Sequence, residues 1–203
     1  RSPGEYGASV AVGEAQPLGV SPSWGGPLLG FLACSDALKR QIPGRVVGRT
    51  EDGEGRPGYV LTLQTREQHI RREKATSNIC SNQGLNMCKA TVTMAMLGKG
   101  GFQEMGEATR LRTEALKNEL AAVPGVSFPF AAPVFNEFVL RLPMGAEDFA
   151  AYAREKGVLA GIPLDGVAGC GPNDLLVALT EKRTAEEIRH YARVLLDCVE
   201  GEA

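Results

Sequence analysis

The chain has 203 residues, and its apolar content of 43% and charged content of 23% are ordinary for a globular protein. A formal net charge of −2 argues against nucleic acid or an anionic membrane as the main partner. No apolar run approaches the length of a bilayer span, and the first residues show no signal-peptide pattern. Five cysteines without a CxxC pair predict reduced thiols, no zinc site and a cytoplasmic location.

The first hundred residues are rich in glycine, which predicts short strands joined by tight turns. Residues 8–12 form a short apolar run, which we expect to be a buried strand. Nothing before this run can pair with it, so we expect the chain to be the later part of a longer protein. A Gly/Pro-rich loop follows, and residues 28–33 predict a second apolar strand. Loops at the carboxyl ends of strands bind ligands in α/β sheets.

Further elements follow from periodicity and from capping residues. Residues 35–41 predict a short helix with Ser35 as its N-cap, and residues 46–48 and 59–64 predict strands. A helix over residues 78–97, capped by Ser77, is expected to bury one apolar stripe and to fill the core with its methionines. The glycine-rich residues 98–101 are expected to break the chain before a second helix over residues 102–123, whose apolar face includes Leu111 and Leu116. The expected buried stripe of the first helix consists of Leu85, Cys88, Val92, Ala95 and Met96.

The second half of the chain predicts a small α/β unit. Strands are expected at residues 134–142 and 175–179, a helix at 146–156, and a final helix that opens with the capping box Thr184–Glu187. We therefore predict two domains: residues 1–100 are the C-terminal part of a large domain, and residues 101–203 are a small C-terminal domain with its bridging helix. The side chains expected to be inward include Phe138, Leu140, Phe149, Tyr152, Ala153, Ile188, Ala192, Leu195 and Val199.

The most polar stretch of the chain runs from residue 66 to residue 82. Its first nine residues carry four cations, two carboxylates and one of the two histidines. Interleaved charge of this kind suits a loop that holds charged groups at a buried junction, and it is equally typical of a solvated surface. The chain has no GxGxxG or P-loop pattern, so nothing supports a dinucleotide or ATP site.

A Gly-rich loop at a strand end, two bridging helices and a C-terminal α/β lobe form the layout of aminotransferase-like enzymes that use pyridoxal phosphate (PLP). Several motifs make this similarity specific, and together they resemble the glycine cleavage system P-protein family. Within that family the resemblance is to the C-terminal part of subunit 1, the alpha chain of the two-chain form. The motifs are VGEAQPLG at 12–19, WGGP at 24–27, PGR at 43–45, REKATSNIC at 72–80 and LLVALTEKR at 175–183.

The resemblance implies a fold, a reaction and partners. The fold is an α/β, PLP-dependent aminotransferase-like fold (fold type I), represented by the end of the large domain and the small domain. The reaction is the decarboxylation of glycine through PLP, with transfer of the aminomethyl group to the lipoyl arm of the H-protein. The implied partners are a catalytic subunit 2 in a heterotetramer, the lipoylated H-protein and glycine.

One position departs from the catalytic pattern that the resemblance implies. When the Gly-Gly-Pro of the catalytic subunit is placed on that of this chain, Gln16 occupies the position of the Schiff-base lysine. Glutamine has no nucleophilic amine, so it cannot form an imine. The chain is therefore interpreted as the partner subunit that does not bind PLP and has no catalytic residue of its own. Two alternatives remain: an independent PLP enzyme that uses Lys74 or a lysine in the absent N-terminal part, and an interaction module without any link to the complex.

The charged stretch is the candidate region for the subunit interface or for the border of a shared active site. Its arginines could pair with carboxylates of another subunit, or they could be solvated. The histidine could be a hydrogen-bonded structural residue, and the Ser-Asn pair could cap the following helix. No residue is expected to bind a metal. The candidate residues are Arg66, His69, Arg71, Arg72, Lys74, Ser77 and Asn78.

Overall fold

A computed structural model describes residues 2–75 and 83–201, with only the backbone described for Arg66. The chain divides into two compact units, Arg1–Leu97 and Gly98–Ala203. None of the described helices is both long and apolar enough to cross a membrane. The strands and α-helices are β1 (Val10–Glu14), β2 (Gly30–Cys34), β3 (Val46–Glu51), β4 (Pro57–Thr62), α1 (Gln68–Arg71), α2 (Gly84–Leu120), β5 (Glu137–Arg141), α3 (Ala146–Glu155), β6 (Ile162–Pro163), β7 (Asp174–Ala178) and α4 (Ala185–Glu200).

The described part of the first unit contains two antiparallel strand pairs. Strand β1 pairs with β2, from Val10 opposite Cys34 to Glu14 opposite Gly30. Strand β3 pairs with β4 over six residues on each strand. Short 3₁₀ turns complete the unit at Pro3–Tyr6, Asp36–Leu38, Gln64–Arg66 and Arg72–Lys74. The helix predicted at 35–41 is thus a single 3₁₀ turn, and Ser35 precedes it without a side-chain capping bond.

The expectation of a buried strand at residues 8–12 is wrong. The strand begins at Val10, and most of its residues are exposed, Val12 by 68%. Its partner β2 comes later in the chain, so the strand does not need one before it. The apolar run correctly indicates a strand that is suited to burial. It is exposed because, among the described residues, β1 and β2 form only a two-stranded ribbon with apolar side chains on both faces.

The described part of the first unit buries few apolar side chains, namely Ala15, Val20 and Ala90. They lie where the loop after β1 meets the first part of α2. Gly19 is required in this contact for two reasons. Its φ of +83° is unfavourable for other residues, and a methyl group at its Cα would collide with the Thr93 side chain.

Helix α2 extends from Gly84 to Leu120 with one non-helical residue, Gly98, at φ 59° and ψ −176°. The predicted break is therefore present at Gly98, but residues 99–101 are helical and the interruption is a single residue. This backbone angle lies in the left-handed φ region, which glycine adopts without a Cβ clash. The predicted start at residue 78 lies outside the described residues.

The prediction that α2 buries the stripe Leu85–Cys88–Val92–Ala95–Met96 is wrong. Leu85 is 73% exposed and Met96 is 82% exposed, and Cys88 is an exposed thiol where we expected an inert buried one. The helix packs in its own unit through another side, which includes the buried residues Asn86 and Ala90. Periodicity located an apolar face of the helix correctly. It does not show whether another element of the same unit covers that face.

The second unit is built around a three-stranded antiparallel sheet with the order β5–β7–β6. Side chains from the end of α2, from the sheet and from α3 and α4 form one continuous core. Phe149 is fully buried, and its ring meets that of Tyr191 edge-on at a centroid distance of 6.1 Å. The largest fully buried apolar side chains of this core are Phe149, Leu116, Leu120, Leu140, Leu142, Leu175 and Leu195.

Most sequence-based expectations for the second unit are confirmed. Thr184 accepts a hydrogen bond from the Glu187 N–H at 3.1 Å, and the Glu187 carboxylate accepts one from the Thr184 N–H at 2.8 Å, as a capping box requires. Tyr152 and Val199 are only partly buried against the core. Leu111, expected on the buried face of α2, is 54% exposed. The two-residue strand β6 was missed because so short a segment carries no periodicity. The predicted inward residues that are buried are Phe138, Leu140, Phe149, Ala153, Ile188, Ala192 and Leu195.

Candidate functional site

A carboxylate joins the two ends of the loop between β1 and β2. Glu14 Oε1 accepts hydrogen bonds from the Gln16 N–H at 2.8 Å and from the Leu29 N–H at 2.6 Å. The Ala15 N–H donates to the Leu29 carbonyl at 2.7 Å beside them. Hydrogen bonds to an ionised acceptor are stronger than neutral ones, so this carboxylate holds the mouth of the loop in one geometry.

Gln16 lies inside this loop and is half-buried. Its Nε2 donates to the Val20 carbonyl at 2.7 Å, and the Val20 N–H donates to the Gln16 carbonyl at 3.1 Å. The side-chain amide is thus bound to its own loop. It closes the five-residue turn from Gln16 to Val20, and the Val20 side chain is buried.

The first turn of α2 is tied to the same loop. Asn86 is 5% exposed, and its Nδ2 donates to Gln83 Oε1 at 3.1 Å and to the Pro27 carbonyl at 3.5 Å, the latter at the limit of a hydrogen bond. Neither Asn86 nor Glu14 was predicted from the sequence as a site residue. The available signals were a polar residue on the packed side of a helix and a carboxylate directly after an apolar strand.

The turn at the tip of the loop has an unusual backbone. Ser23, Trp24 and Gly25 follow one another with φ angles of 42°, 58° and 79°. The first two are not glycine, and each such angle is a local cost that the surrounding structure must offset. Trp24 is fully exposed at this tip. Its ring is thus presented by a strained turn outside any described core.

The charged stretch forms the turn Gln64–Arg66, helix α1 and the turn Arg72–Lys74. His69 Nδ1 lies 3.6 Å from Glu67 Oε2, with the histidine side chain 59% exposed and that of the glutamate 17% exposed. The other oxygen, Glu67 Oε1, is buried and has no hydrogen-bond partner among the described residues. An unpaired buried carboxylate oxygen is costly, so a donor supplied from elsewhere would stabilise this turn.

Arg71, Arg72 and Lys74 are exposed, and their side chains form no hydrogen bond or ion pair with another described residue. Arg72 has a φ of 52°, which is strained for a non-glycine residue. Arg66 ends the first turn, and Ser77 and Asn78 lie outside the described residues. Within the described ranges, no hydrogen bond or ion pair links this stretch to the Gln16 loop.

The described residues include no group of three or more His, Cys, Asp or Glu side chains that could hold a metal ion.

A separate cavity of about 740 Å³ lies in the second unit, between the end of β7, the segment before β6 and the start of α4. Its lining is mainly apolar, with Arg183 and Glu187 paired at 3.2 Å on one side. The Tyr191 hydroxyl donates to the Ala160 carbonyl at 2.7 Å, and burial raises the pKa of this phenol. The tyrosine is therefore a neutral structural group under physiological conditions.

Comparison with known proteins gives one family. The family model described as glycine cleavage system P-protein matches residues 1–195. A probable glycine dehydrogenase (decarboxylating) subunit 1 from Chlorobium chlorochromatii is 50% identical over 194 residues, and a protein of the same description from Geobacillus thermodenitrificans is 49% identical over 195 residues. In both cases the match covers 96% of this chain and 43% of the relative. The chain thus spans less than half the length of the curated relatives it matches.

Solved structures agree with this result. A glycine decarboxylase (P-protein) of the glycine cleavage system, crystallised in inhibitor-bound form, matches with a TM-score of 0.87 and 40% identity. This match covers 97% of the chain and 45% of that protein. A sphingosine-1-phosphate lyase from Burkholderia pseudomallei matches with a TM-score of 0.61 at 14% identity, which indicates the fold alone. The expected fold class, the α/β fold type I of PLP-dependent enzymes, is confirmed.

Proposed function

The chain belongs to the glycine cleavage system P-protein family, and from this premise we propose that it is part of the subunit of glycine dehydrogenase that does not bind PLP. The observation that carries the proposal is Gln16. It stands where the motif comparison expects the lysine of the catalytic subunit, and its amide is bound to the Val20 carbonyl of its own loop. Because the chain spans 43% of its relatives, the activity of the whole subunit is part of the proposal.

The described residues do not fit a covalent attachment of PLP at the strand-end loop. Attachment requires a lysine amine, and the loop from residue 15 to residue 29 contains no lysine. A glutamine at the attachment position would leave the cofactor without a covalent link to this chain. In the proposed complex PLP is therefore held by subunit 2, and this chain contributes no step of the reaction through the cofactor.

The proposed reaction of the complex is the decarboxylation of glycine, with transfer of the aminomethyl group to the lipoyl arm of the H-protein. The proposed contribution of this chain is to border the shared site in a heterotetramer. The support is the exposed segment that carries Arg71, Arg72 and Lys74, whose side chains have no partner among the described residues. Arginines can bind carboxylates of another subunit with two parallel hydrogen bonds. Arg66, His69, Ser77 and Asn78 belong to the same proposed border.

We assign the two units to the two domains expected from the sequence. Residues 1–100 are proposed to be the end of the large domain, and residues 101–203 are proposed to be the small domain with its bridging helix. Support comes from the division between Leu97 and Gly98 and from the separate core of the second unit. The proposed location is the cytoplasm, which suits the free thiols of Cys34, Cys88, Cys170 and Cys198.

An independent PLP enzyme that uses Lys74 is the second candidate. Lys74 ends a short 3₁₀ turn, and its exposed side chain is not placed in a desolvated pocket. A lysine that forms a Schiff base is normally activated by desolvation or by neighbouring cations. Arg72 is close in sequence, but an exposed position screens such a cation.

A direct test is exchange of labelled carbon dioxide into the carboxyl group of glycine. The chain, subunit 2 and a mixture of both are assayed with PLP and the lipoylated H-protein. We expect no exchange by this chain alone, because it lacks the lysine that holds the cofactor. Exchange by the chain alone that is abolished in a Lys74→Ala variant would establish the second candidate instead.

A further inference from the structure

The exposed stripe of α2 has the geometry of a helix-packing surface. At 100° per residue, Leu85, Cys88, Val92, Ala95 and Met96 fall within a sector of about 100°. The spacing of the first four is three, four and three residues, which is the pattern of a seam between two helices. Small side chains at Cys88 and Ala95 alternate with larger ones, so a second helix could approach closely and interdigitate.

This stripe lies opposite the side through which α2 already packs. The buried Asn86 and Ala90 are centred about 130° or more from the middle of the stripe on the helical wheel. A helix that packs through one side and carries an apolar stripe on the other is suited to being covered on both sides. The stripe itself contains no charged residue. Exposure to water therefore does not explain why the stripe is apolar.

The strands of the first unit also carry apolar side chains that are exposed. Val12 and Leu32 face one side of the β1–β2 ribbon, and Phe31 faces the other side, and all three are exposed. A sheet that is apolar on both faces is normally covered on both. A two-stranded ribbon is also only marginally stable by itself. The first unit therefore presents several surfaces suited to the interior of a larger α/β body.

We propose that the α2 stripe, defined as Leu85, Cys88, Val92, Ala95 and Met96, packs against an α-helix from the part of the P-protein subunit that lies outside the matched region. The curated relatives carry more than half of their length outside that region, and the solved P-protein chain does so as well. That length is enough to supply a helical layer. The proposal rests on family membership and not on which subunit holds PLP, so it can fail while the proposed function stands.

Cys88 provides a direct probe, because it lies in the stripe and its thiol is exposed in this chain. The matched region of the full-length Chlorobium chlorochromatii relative would be replaced by this chain, with every other cysteine of the hybrid changed to serine. The rate of maleimide labelling of Cys88 is then compared between the hybrid subunit and the 203-residue chain carrying the same changes. We expect labelling to be at least 100-fold slower in the hybrid without any partner present.

A matched control shows whether slower labelling is specific to the stripe. Arg189 is exposed on α4, and a cysteine placed there (Arg189→Cys, with Cys88→Ser) should react at the same rate in both proteins. Rapid labelling of Cys88 in the hybrid would overturn the proposal. Protection that appears only after subunit 2 is added would also overturn it, because the partner subunit would then cover the stripe. Protection of the isolated chain that grows with its concentration would assign the stripe to a second copy.

A second comparison does not depend on thiol chemistry. Met96→Asp places a charge in the stripe, whereas Thr91→Asp places one on the same helix outside it. We expect the first change to lower the apparent melting temperature of the hybrid subunit by at least 10 °C and the second to lower it far less. Equal effects of the two changes would contradict the proposal, because a solvated helix face has no reason to distinguish them.

Discussion

At the scale of single residues, Asp174 shows how a charge is held inside the second unit. It is 1% exposed, and its two oxygens accept hydrogen bonds from Arg141 at 2.7 and 2.8 Å. The Gly171 N–H donates to the same carboxylate at 2.9 Å. The Arg141 hydrogen bonds, opposed by burial and assisted by Gly171, hold the pKa of Asp174 below its usual value.

This pKa shift predicts a pH dependence. Because the folded pKa lies below the unfolded pKa of about 3.9, the stabilisation is complete above that value and is lost as the pH falls through the folded pKa. We expect Asp174→Asn to lower the free energy of unfolding at pH 7 by about 2 to 3 kcal/mol. Urea denaturation followed by far-UV circular dichroism, from pH 7 down to pH 2, measures both effects. A variant as stable as the parent at pH 7 would contradict this account.

Glu14 carries the second prediction for a single residue. Glu14→Ala removes the acceptor that joins the Gln16 and Leu29 amides. Loss of a charge-assisted hydrogen bond worth about 1.5 kcal/mol or more should speed amide hydrogen exchange at both positions roughly tenfold. Glu51→Ala, on an exposed part of β3, is the matched control and should leave these rates unchanged. Unchanged exchange in the Glu14 variant would show that the loop does not depend on this carboxylate.

The residues in and around the loop between β1 and β2 differ in how well the sequence predicted them. Gln16 was identified because its position in a motif could be compared with a lysine of known role. Glu14 and Asn86 were not identified, because most of their hydrogen bonds go to backbone groups, namely the N–H groups of Gln16 and Leu29 and the Pro27 carbonyl. The amino-acid type of those partners carries no signal, since any residue offers the same N–H or carbonyl group.

At the scale of elements, α2 tests how far an apolar pattern predicts burial. Both Leu111 and Leu116 were expected on one buried face. Leu116 is 2% exposed, whereas Leu111 is 54% exposed. Periodicity places a side chain around the helix axis, but it does not reveal where along the helix the neighbouring elements lie.

The two leucines form a matched pair for mutation. Leu116→Ala should lower the free energy of unfolding of the second unit by about 2 to 5 kcal/mol, because it leaves a cavity in the core. Leu111→Ala should change it by about 0.5 kcal/mol or less. Hydrogen exchange of the α4 amides would report this unit separately from the rest of the chain. Similar losses in the two variants would mean that Leu111 is buried in solution.

At the scale of the whole molecule, the two units differ in how well the sequence predicted them. The second unit has its own core, so local patterns such as the Thr184 capping box and the buried side of α4 were sufficient. The apolar runs of the first unit were interpreted as buried, yet β1 and the α2 stripe are exposed. An apolar pattern indicates that a segment is adapted to apolar surroundings. The described residues of this unit do not supply those surroundings.

We propose that PLP is tethered by another polypeptide, and borohydride trapping tests this most directly. The chain would be incubated with PLP, alone and together with subunit 2, then reduced, digested and analysed by peptide mass spectrometry. We predict a phosphopyridoxyl-lysine in subunit 2 and none at a specific site of this chain. Stoichiometric labelling of Lys74, or of any other lysine of this chain, would contradict the account.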